Sequence, residues 1–245
     1  MRRVRFRQSG EVVRTGEWTD RGIEAAGETF DPDAVTVLPP TEPSKVIGVS
    51  TNTEELLADP SRDIEPPARP KLFTKTPNTL VGHGGSVTLL PGEDLDYEGE
   101  LAVVIGEQCR HVSRTDAMDV VAGFTCANDI TTHTQRDPYG VRFKSVDNTC
   151  PVGPVVATPD EVPDDATIET RVNGETRQSH TRESLLFSIP EIIEEITTYL
   201  TLEAGDIVPT GASPEIGTLE AGDRVEVEVE GVGTLVHGVR APGGD

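Results

Sequence analysis

A chain of 245 residues is long for one average domain and short for two, so one principal domain with a small appendage is expected. Its 21 Lys and Arg against 43 Asp and Glu leave a net charge of −22. That balance argues against nucleic-acid binding, where basic surface supplies most of the affinity, and against docking on anionic lipid. Four of the 21 basic residues are Lys (Lys45, Lys71, Lys75, Lys144) and the other 17 are Arg. An acid excess with few Lys points to a protein built for concentrated salt, as in a halophilic cell, where screening relieves self-repulsion. Three cysteines without paired spacing make neither a disulfide framework nor a zinc knuckle and favour a reducing cytoplasm. The apolar runs are too short for a membrane span, and no apolar stretch follows Arg2-Arg3 as a secretory signal would require.

At the N-terminus Arg3, Arg5 and Arg7 alternate with Val4 and Phe6, the period of a strand with one polar face. Short strands with turns at Ser9-Gly10 and Asp31-Pro32-Asp33 follow, and Pro39-Pro40 closes this small unit. Four prolines in residues 60–70 predict an extended surface connection. Leu101-Ala102-Val103-Val104-Ile105 reads as a buried strand. Ser113 with Asp116 three residues on predicts a helix over 113–121, stopped by Gly123. A second helix is predicted over 190–200, with Ile192, Ile193, Ile196 and Leu200 on one stripe and Pro190 in its first turn. Val225, Val227 and Val229 alternate with Glu226, Glu228 and Glu230 as a strand with one wet face. The hexapeptide Thr-Leu-Glu-Ala-Gly-Asp occurs at 201–206 and again at 218–223, which reads as one turn used twice rather than a duplicated site. The whole is α+β class and β-dominated: a roll, sandwich or barrel with two helices.

Glu98-Gly99-Glu100 places two carboxylates on one side of a strand. Such a pair is tolerated where it is solvated or where a cation lies between; taken alone, in so acidic a chain, it reads as solvated surface. Asp129 follows the small apolar segment Phe124-Thr125-Cys126-Ala127, an odd place for an unpaired acid. Three carboxylates form an all-oxygen set that suits Mg²⁺ or Mn²⁺. Lys144 stands out in a Lys-poor chain, although locally it pairs as readily with Asp147 on the surface.

Read together, Asp96-Tyr97-Glu98-Gly99-Glu100-Leu101-Ala102-Val103-Val104-Ile105-Gly106, Gly123-Phe124-Thr125-Cys126-Ala127-Asn128-Asp129, Lys144-Ser145 and Cys150-Pro151-Val152-Gly153-Pro154 closely resemble the fumarylacetoacetate hydrolase family. Val172-Asn173-Gly174-Glu175, Phe187-Ser188-Ile189-Pro190-Glu191, Leu202 with Gly205-Asp206, and Thr210-Gly211 continue the match in order. The proline breaks set off a small N-terminal β subdomain over 1–43, and for the rest, 44–241, the resemblance implies a catalytic domain folded as a mixed β-roll, usually dimeric. It implies Mg²⁺ or Mn²⁺, with Ca²⁺ as a further candidate, bound by residues matching Glu98, Glu100 and Asp129. It implies a catalytic lysine at Lys144 and substrate contacts at Gln135, Tyr139, Thr210 and Gly211. The substrates implied are small anionic 2-oxo or 1,3-diketo acids, handled through a metal-bound enolate.

Several positions depart from the family pattern. His133 stands where an Arg is usual, and Ala212-Ser213 replaces the Thr-Pro that follows Thr210-Gly211. The lid His that activates water in many members is Glu54 here, which makes Glu54 the candidate replacement base. His180 and Glu183 keep the lid's internal His–Glu spacing but lie in another segment. The first expectation is hydrolytic C–C cleavage of an acylpyruvate-like substrate. An isomerase of the 2-hydroxyhepta-2,4-diene-1,7-dioate type, or a 2-oxo acid decarboxylase or dehydratase, follows from the missing His. A catalytically decayed metal-binding protein is the reading from another class.

Raising KCl from dilute to molar is expected to raise the melting temperature, because screening relieves the repulsion of 22 net negative charges. A melting temperature that is flat or falls with KCl returns the chain to ordinary acidity.

Overall fold

The computed structural model describes residues 1–8, 12–58, 65–132 and 140–243, and it is β-dominated. The alternating N-terminal residues form the strand Arg2–Arg7, with Val4 and Phe6 fully buried and packed in the main apolar core. This strand pairs antiparallel with Cys150–Ala157, so the first strands continue directly into the largest sheet. From Cys150–Ala157 that sheet runs through Val121–Asn128, Gly99–Ile105, Ile207–Pro209 and Val46–Ser50 to Lys71–Lys75. Every residue of Gly99–Ile105 is buried, as a central strand covered on both faces requires.

A five-stranded sheet packs against it, ordered Glu175–Thr181, Thr167–Val172, Arg224–Val229, Gly233–Arg240, Ser86–Thr88. The predicted wet face is present: Val225, Val227 and Val229 are buried, and Arg171 on the neighbouring strand gathers Glu169, Glu226 and Glu228 at 2.5–2.9 Å. A three-stranded sheet is ordered Thr131–Thr132, Leu95–Tyr97, Gly217–Thr218, and its middle strand leads directly into Gly99–Ile105.

The predicted C-terminal helix is Ile189–Tyr199. Glu191 accepts from the backbone N–H and hydroxyl of Ser188 at 2.9 and 2.8 Å, which fixes its first turn. Ile192, Ile193 and Ile196 are fully buried, whereas Leu200 lies past the end in extended conformation and is exposed. The helix predicted over 113–121 is not formed. A single 3₁₀ turn, Ala117–Val120, leads directly into Val121–Asn128. The sheet claims the apolar residues the helix needed: Val121 pairs with Ile105, and Gly123 sits inside the strand at a φ of 153°. Two short helices, Glu54–Ala58 and Val141–Lys144, are too brief to leave a periodic signature in the sequence.

Both copies of the repeated hexapeptide form the same turn. Asp206 and Asp223 accept from the backbone N–H of Glu203 and Glu220 at 2.8 and 2.7 Å, and Gly205 and Gly222 take φ of 91° and 98°. Among the described residues no helix is long and apolar enough to cross a membrane.

Gly99 is constrained by packing. A Cβ there would lie 1.8 Å from the Thr170 hydroxyl oxygen and 3.2 Å from its Cβ. Gly99→Ala is therefore expected to cost about 1–3 kcal/mol, read as a lower melting temperature. Thr170→Ala in the same chain should restore part of it. An unchanged melting temperature in Gly99→Ala would mean the two strands separate more easily than this packing allows.

Candidate active site

The sheet register brings the acids together. Gly99 pairs with Asn128 and Glu100 with Ala127, and the Asp129 N–H donates to the Glu98 carbonyl at 2.8 Å. Asp129 thus lies directly across from Glu98, while Glu100, two residues along, shares its face. Glu100 and Asp129 are almost wholly buried. With Glu98 they line a pocket of about 150 Å³ that also holds Phe73, Lys144 and Ser213. A cleft of about 630 Å³ adjoins it, sharing Ser50, Thr51, Phe73 and Lys144.

Lys144 ends the short helix Val141–Lys144, and its Nζ reaches Asp129 Oδ2 at 2.5 Å, Thr131 Oγ1 at 2.6 Å and Glu98 Oε2 at 2.9 Å. The ammonium also lies 4.4 Å from the centre of the Phe73 ring. Burial works against this ammonium, but Asp129 and Glu98 outweigh burial and hold its pKa above the ordinary lysine value. The Asp147 pairing expected locally does not form; Asp147 accepts from Asn78 Nδ2 at 2.5 Å.

Sequence reasoning assigned no role to Lys75. Its side chain is fully buried at the end of Lys71–Lys75, 2.7 Å from Asp129 Oδ1, and donates to the Ile130 carbonyl at 2.8 Å. Burial opposes the Asp129 carboxylate, yet Lys144 and Lys75 overcome it and draw its pKa below the usual range. Glu100 moves the other way. Burial, then the charges of Asp129 and Glu98, push it well above the usual carboxylate range, against the Gly211 N–H that donates to its Oε2 at 2.5 Å.

Other expected residues take different places. Glu54 opens the helix Glu54–Ala58 and is exposed, outside the residues lining the pocket. Leu56 is the buried residue of that helix, and two positions of helical rotation turn Glu54 roughly 200° away from it. The Thr210 hydroxyl is committed to the Leu101 carbonyl at 2.8 Å, and Gly211 serves Glu100. It is Ala212 and Ser213 that reach the pocket. Gly211 has a φ of 115°, and a Cβ there would stand 3.0 Å from Asn52 Cβ. His180 is buried in Glu175–Thr181 without a hydrogen-bond partner among the described residues, and Glu183 lies in the next turn. Gln135, Tyr139 and His133 lie outside the described residues.

Two further side chains hold the frame. Gln178 accepts from the Gly99 N–H at 2.9 Å and donates to the Ser213 carbonyl at 3.0 Å. Asn128 Oδ1 accepts from the Glu98 N–H at 2.9 Å, so its amide nitrogen is the group facing His237 Nε2 at 2.9 Å. His237 must then accept at Nε2, as the neutral ring protonated on Nδ1. Neither signal is visible along the sequence, because both partners come from distant strands.

A hard divalent cation is a fair test of this donor set. Among the described residues no three Asp, Glu, His or Cys side chains converge into a finished cage, since Lys144 lies between Glu98 and Asp129. The chemistry nevertheless fits: three carboxylates oppose two ammonium groups, all donors are oxygen, and the strained ionisation of Glu100 is what added positive charge relieves.

Burial lowers the His237 pKa from 6.5 to about 4. Between those values the unfolded chain binds a proton that the folded chain refuses, so stability present above pH 6.5 is lost as pH falls toward 4. The loss reaches roughly 3 kcal/mol at about 1.4 kcal/mol per pKa unit. His237→Gln is expected to flatten this part of the melting-temperature curve between pH 7 and 4.5. Parallel curves for parent and variant would remove His237 as the cause.

Residues 45–240 match the fumarylacetoacetate (FAA) hydrolase C-terminal family model. The chain is 40% identical over 211 residues to the oxaloacetate tautomerase YisK of Bacillus subtilis, covering 80% of this chain and 70% of that one. The structure of 5-carboxymethyl-2-hydroxymuconate delta-isomerase from Mycobacterium smegmatis superposes with a TM-score of 0.89 at 30% identity, covering both chains in full. Maleylpyruvate hydrolase from Sphingobium sp. SYK-6, in complex with manganese(II) and pyruvate, superposes at 0.81 with 25% identity, over 99% of this chain and 100% of that one. The chain belongs to the fumarylacetoacetate hydrolase family, whose members include isomerases, an oxaloacetate tautomerase and hydrolases of small organic acids.

Proposed function

We propose that this chain is a divalent-metal-dependent keto–enol tautomerase or isomerase of a small 2-oxo dicarboxylic acid, with oxaloacetate as the first candidate. Glu98, Glu100 and Asp129 would hold Mg²⁺ or Mn²⁺. The ion supplies Lewis-acid polarisation of the substrate's oxygens when bound. Lys144 is the observation that carries the reading. Its ammonium lines both the inner pocket and the outer cleft, and its neighbours keep it protonated. It therefore compensates negative charge on an enolate oxygen; a proton it gives to carbon is replaced by the one the enol hydroxyl loses, so the ammonium is regenerated. Thr131 and Glu98 aim it, and Phe73 and Ser213 are among the residues that line the pocket.

Tautomerisation needs this charge compensation and a proton carrier. Hydrolysis needs in addition a base that activates water, and Glu54, in the lid His position, is exposed to solvent. That favours proton transfer over C–C cleavage, in line with the oxaloacetate tautomerase among the relatives.

The test is decay of the enol form of oxaloacetate, followed by its ultraviolet absorbance, with Mn²⁺ or Mg²⁺ and with EDTA. Metal-dependent acceleration that EDTA abolishes is expected. Lys144→Ala should lose about 10²–10⁴-fold in kcat, Glu100→Gln should lose tight Mn²⁺ binding, and Glu54→Gln should lose less than about tenfold, ~1.4 kcal/mol. Release of pyruvate from an acylpyruvate faster than oxaloacetate tautomerises would replace this reading with C–C hydrolysis.

A further inference from the structure

The carboxylate of Asp129 is divided between two lysines. Lys144 approaches Oδ2 from the pocket side, and Lys75 holds Oδ1 from behind. Lys75 is fully buried and does not line the pocket, so it reaches a substrate only through Asp129. Its second contact, the Ile130 carbonyl, belongs to the residue after Asp129 and fixes the ammonium against the backbone.

We propose that Lys75 is a positioning residue that sets the charge of this site, pinning one oxygen of Asp129 and leaving the other for the pocket. The inference rests on the metal-dependent reading above. Three carboxylates against Lys144 alone would leave two formal negative charges, and Lys75 reduces this to one. With a divalent cation the cluster then carries one positive charge, rather than none, when an anionic substrate arrives. Lys75 therefore acts in opposite senses on the two ligands. It repels the cation and attracts the anion, both across buried protein where charge is screened less than in water. A group that merely supported the fold would weaken both ligands together when removed.

The chain's Lys usage supports this assignment. Among 17 Arg and four Lys, three of the lysines pair with buried carboxylates: Lys45 with Asp206 at 2.5 Å, and Lys75 and Lys144 both with Asp129. A lysine brings a compact point charge on a flexible stem, which suits contact with a single carboxylate oxygen.

The experiment compares the parent chain with Lys75→Met and Lys75→Gln; the Gln variant keeps a neutral donor for Ile130 should the Met variant fold poorly. Mn²⁺ affinity is measured by titration calorimetry. Affinity for oxalate, a planar dianion shaped like the enolate of a 2-oxo acid, is measured on the Mn²⁺-loaded chains. The expected result is Mn²⁺ binding at least tenfold tighter and oxalate binding at least tenfold weaker in the variants. Losses in both affinities, or no change in either, would overturn the proposal while leaving the metal site standing. A parent chain that binds no Mn²⁺ would overturn the metal reading and this inference with it.

Discussion

The structure turns on one buried carboxylate. Asp129 is almost inaccessible, and without its two ammonium partners an ionised aspartate there would be untenable. Removing one member of such a buried pair typically costs 3–5 kcal/mol, more than the pair contributes against a well-packed apolar alternative. The arrangement is therefore poor evidence for stability and good evidence for use. Its geometry comes from the sheet: the strands Gly99–Ile105 and Val121–Asn128 set Asp129 opposite Glu98, and the strand Lys71–Lys75 delivers an ammonium from behind.

Around this centre the segment 210–213 acts as a shared strut. Its Gly211 N–H serves Glu100, while Asn52 donates to the Thr210 carbonyl at 2.7 Å and Thr53 to the Ala212 carbonyl at 3.0 Å. Gln178 holds the Ser213 carbonyl from the five-stranded sheet. Asn52, Thr53 and the five-stranded sheet thus meet on the residues that orient Glu100, so a displacement of any of them is felt at the acid cluster.

What could be read along the chain was whatever repeats locally. The strands around Val4, Val103 and Val227 and the helix through Ile193 carry their own periods, and the paired turns ending in Asp206 and Asp223 carry their own glycine and capping acid. Family resemblance supplied Glu98, Glu100, Asp129 and Lys144, which the fold brings together. The helix that does not form and the residues that lie elsewhere than expected share a physical cause. Residues 113–121 hold a plausible cap, but sheet pairing of Val121 outweighs one turn of helix. Thr210 looks like a pocket residue until its hydroxyl is seen bound to Leu101, and Glu54 until its helix turns Leu56 inward. Lys75, Gln178 and His237 act across 54, 79 and 109 residues of sequence, on Asp129, Gly99 and Asn128. Scarcity was the one available clue, and it pointed to Lys75 as much as to Lys144.

The strand order carries a consequence for synthesis on the ribosome. Gly99–Ile105 lies between Val121–Asn128 and Ile207–Pro209, and Ile207–Pro209 in turn joins it to Val46–Ser50. Arg2–Arg7 waits for Cys150–Ala157 across some 150 residues. The largest sheet therefore cannot close until residue 209 has left the exit tunnel, and the nascent chain carries unpaired apolar strand edges for most of its translation. Such long-range pairing folds slowly and exposes the chain to misassociation. Beyond the first 21 residues, whose six Arg outnumber Glu11, Glu17 and Asp20, the chain becomes strongly negative, and that charge keeps neighbouring copies apart during the interval.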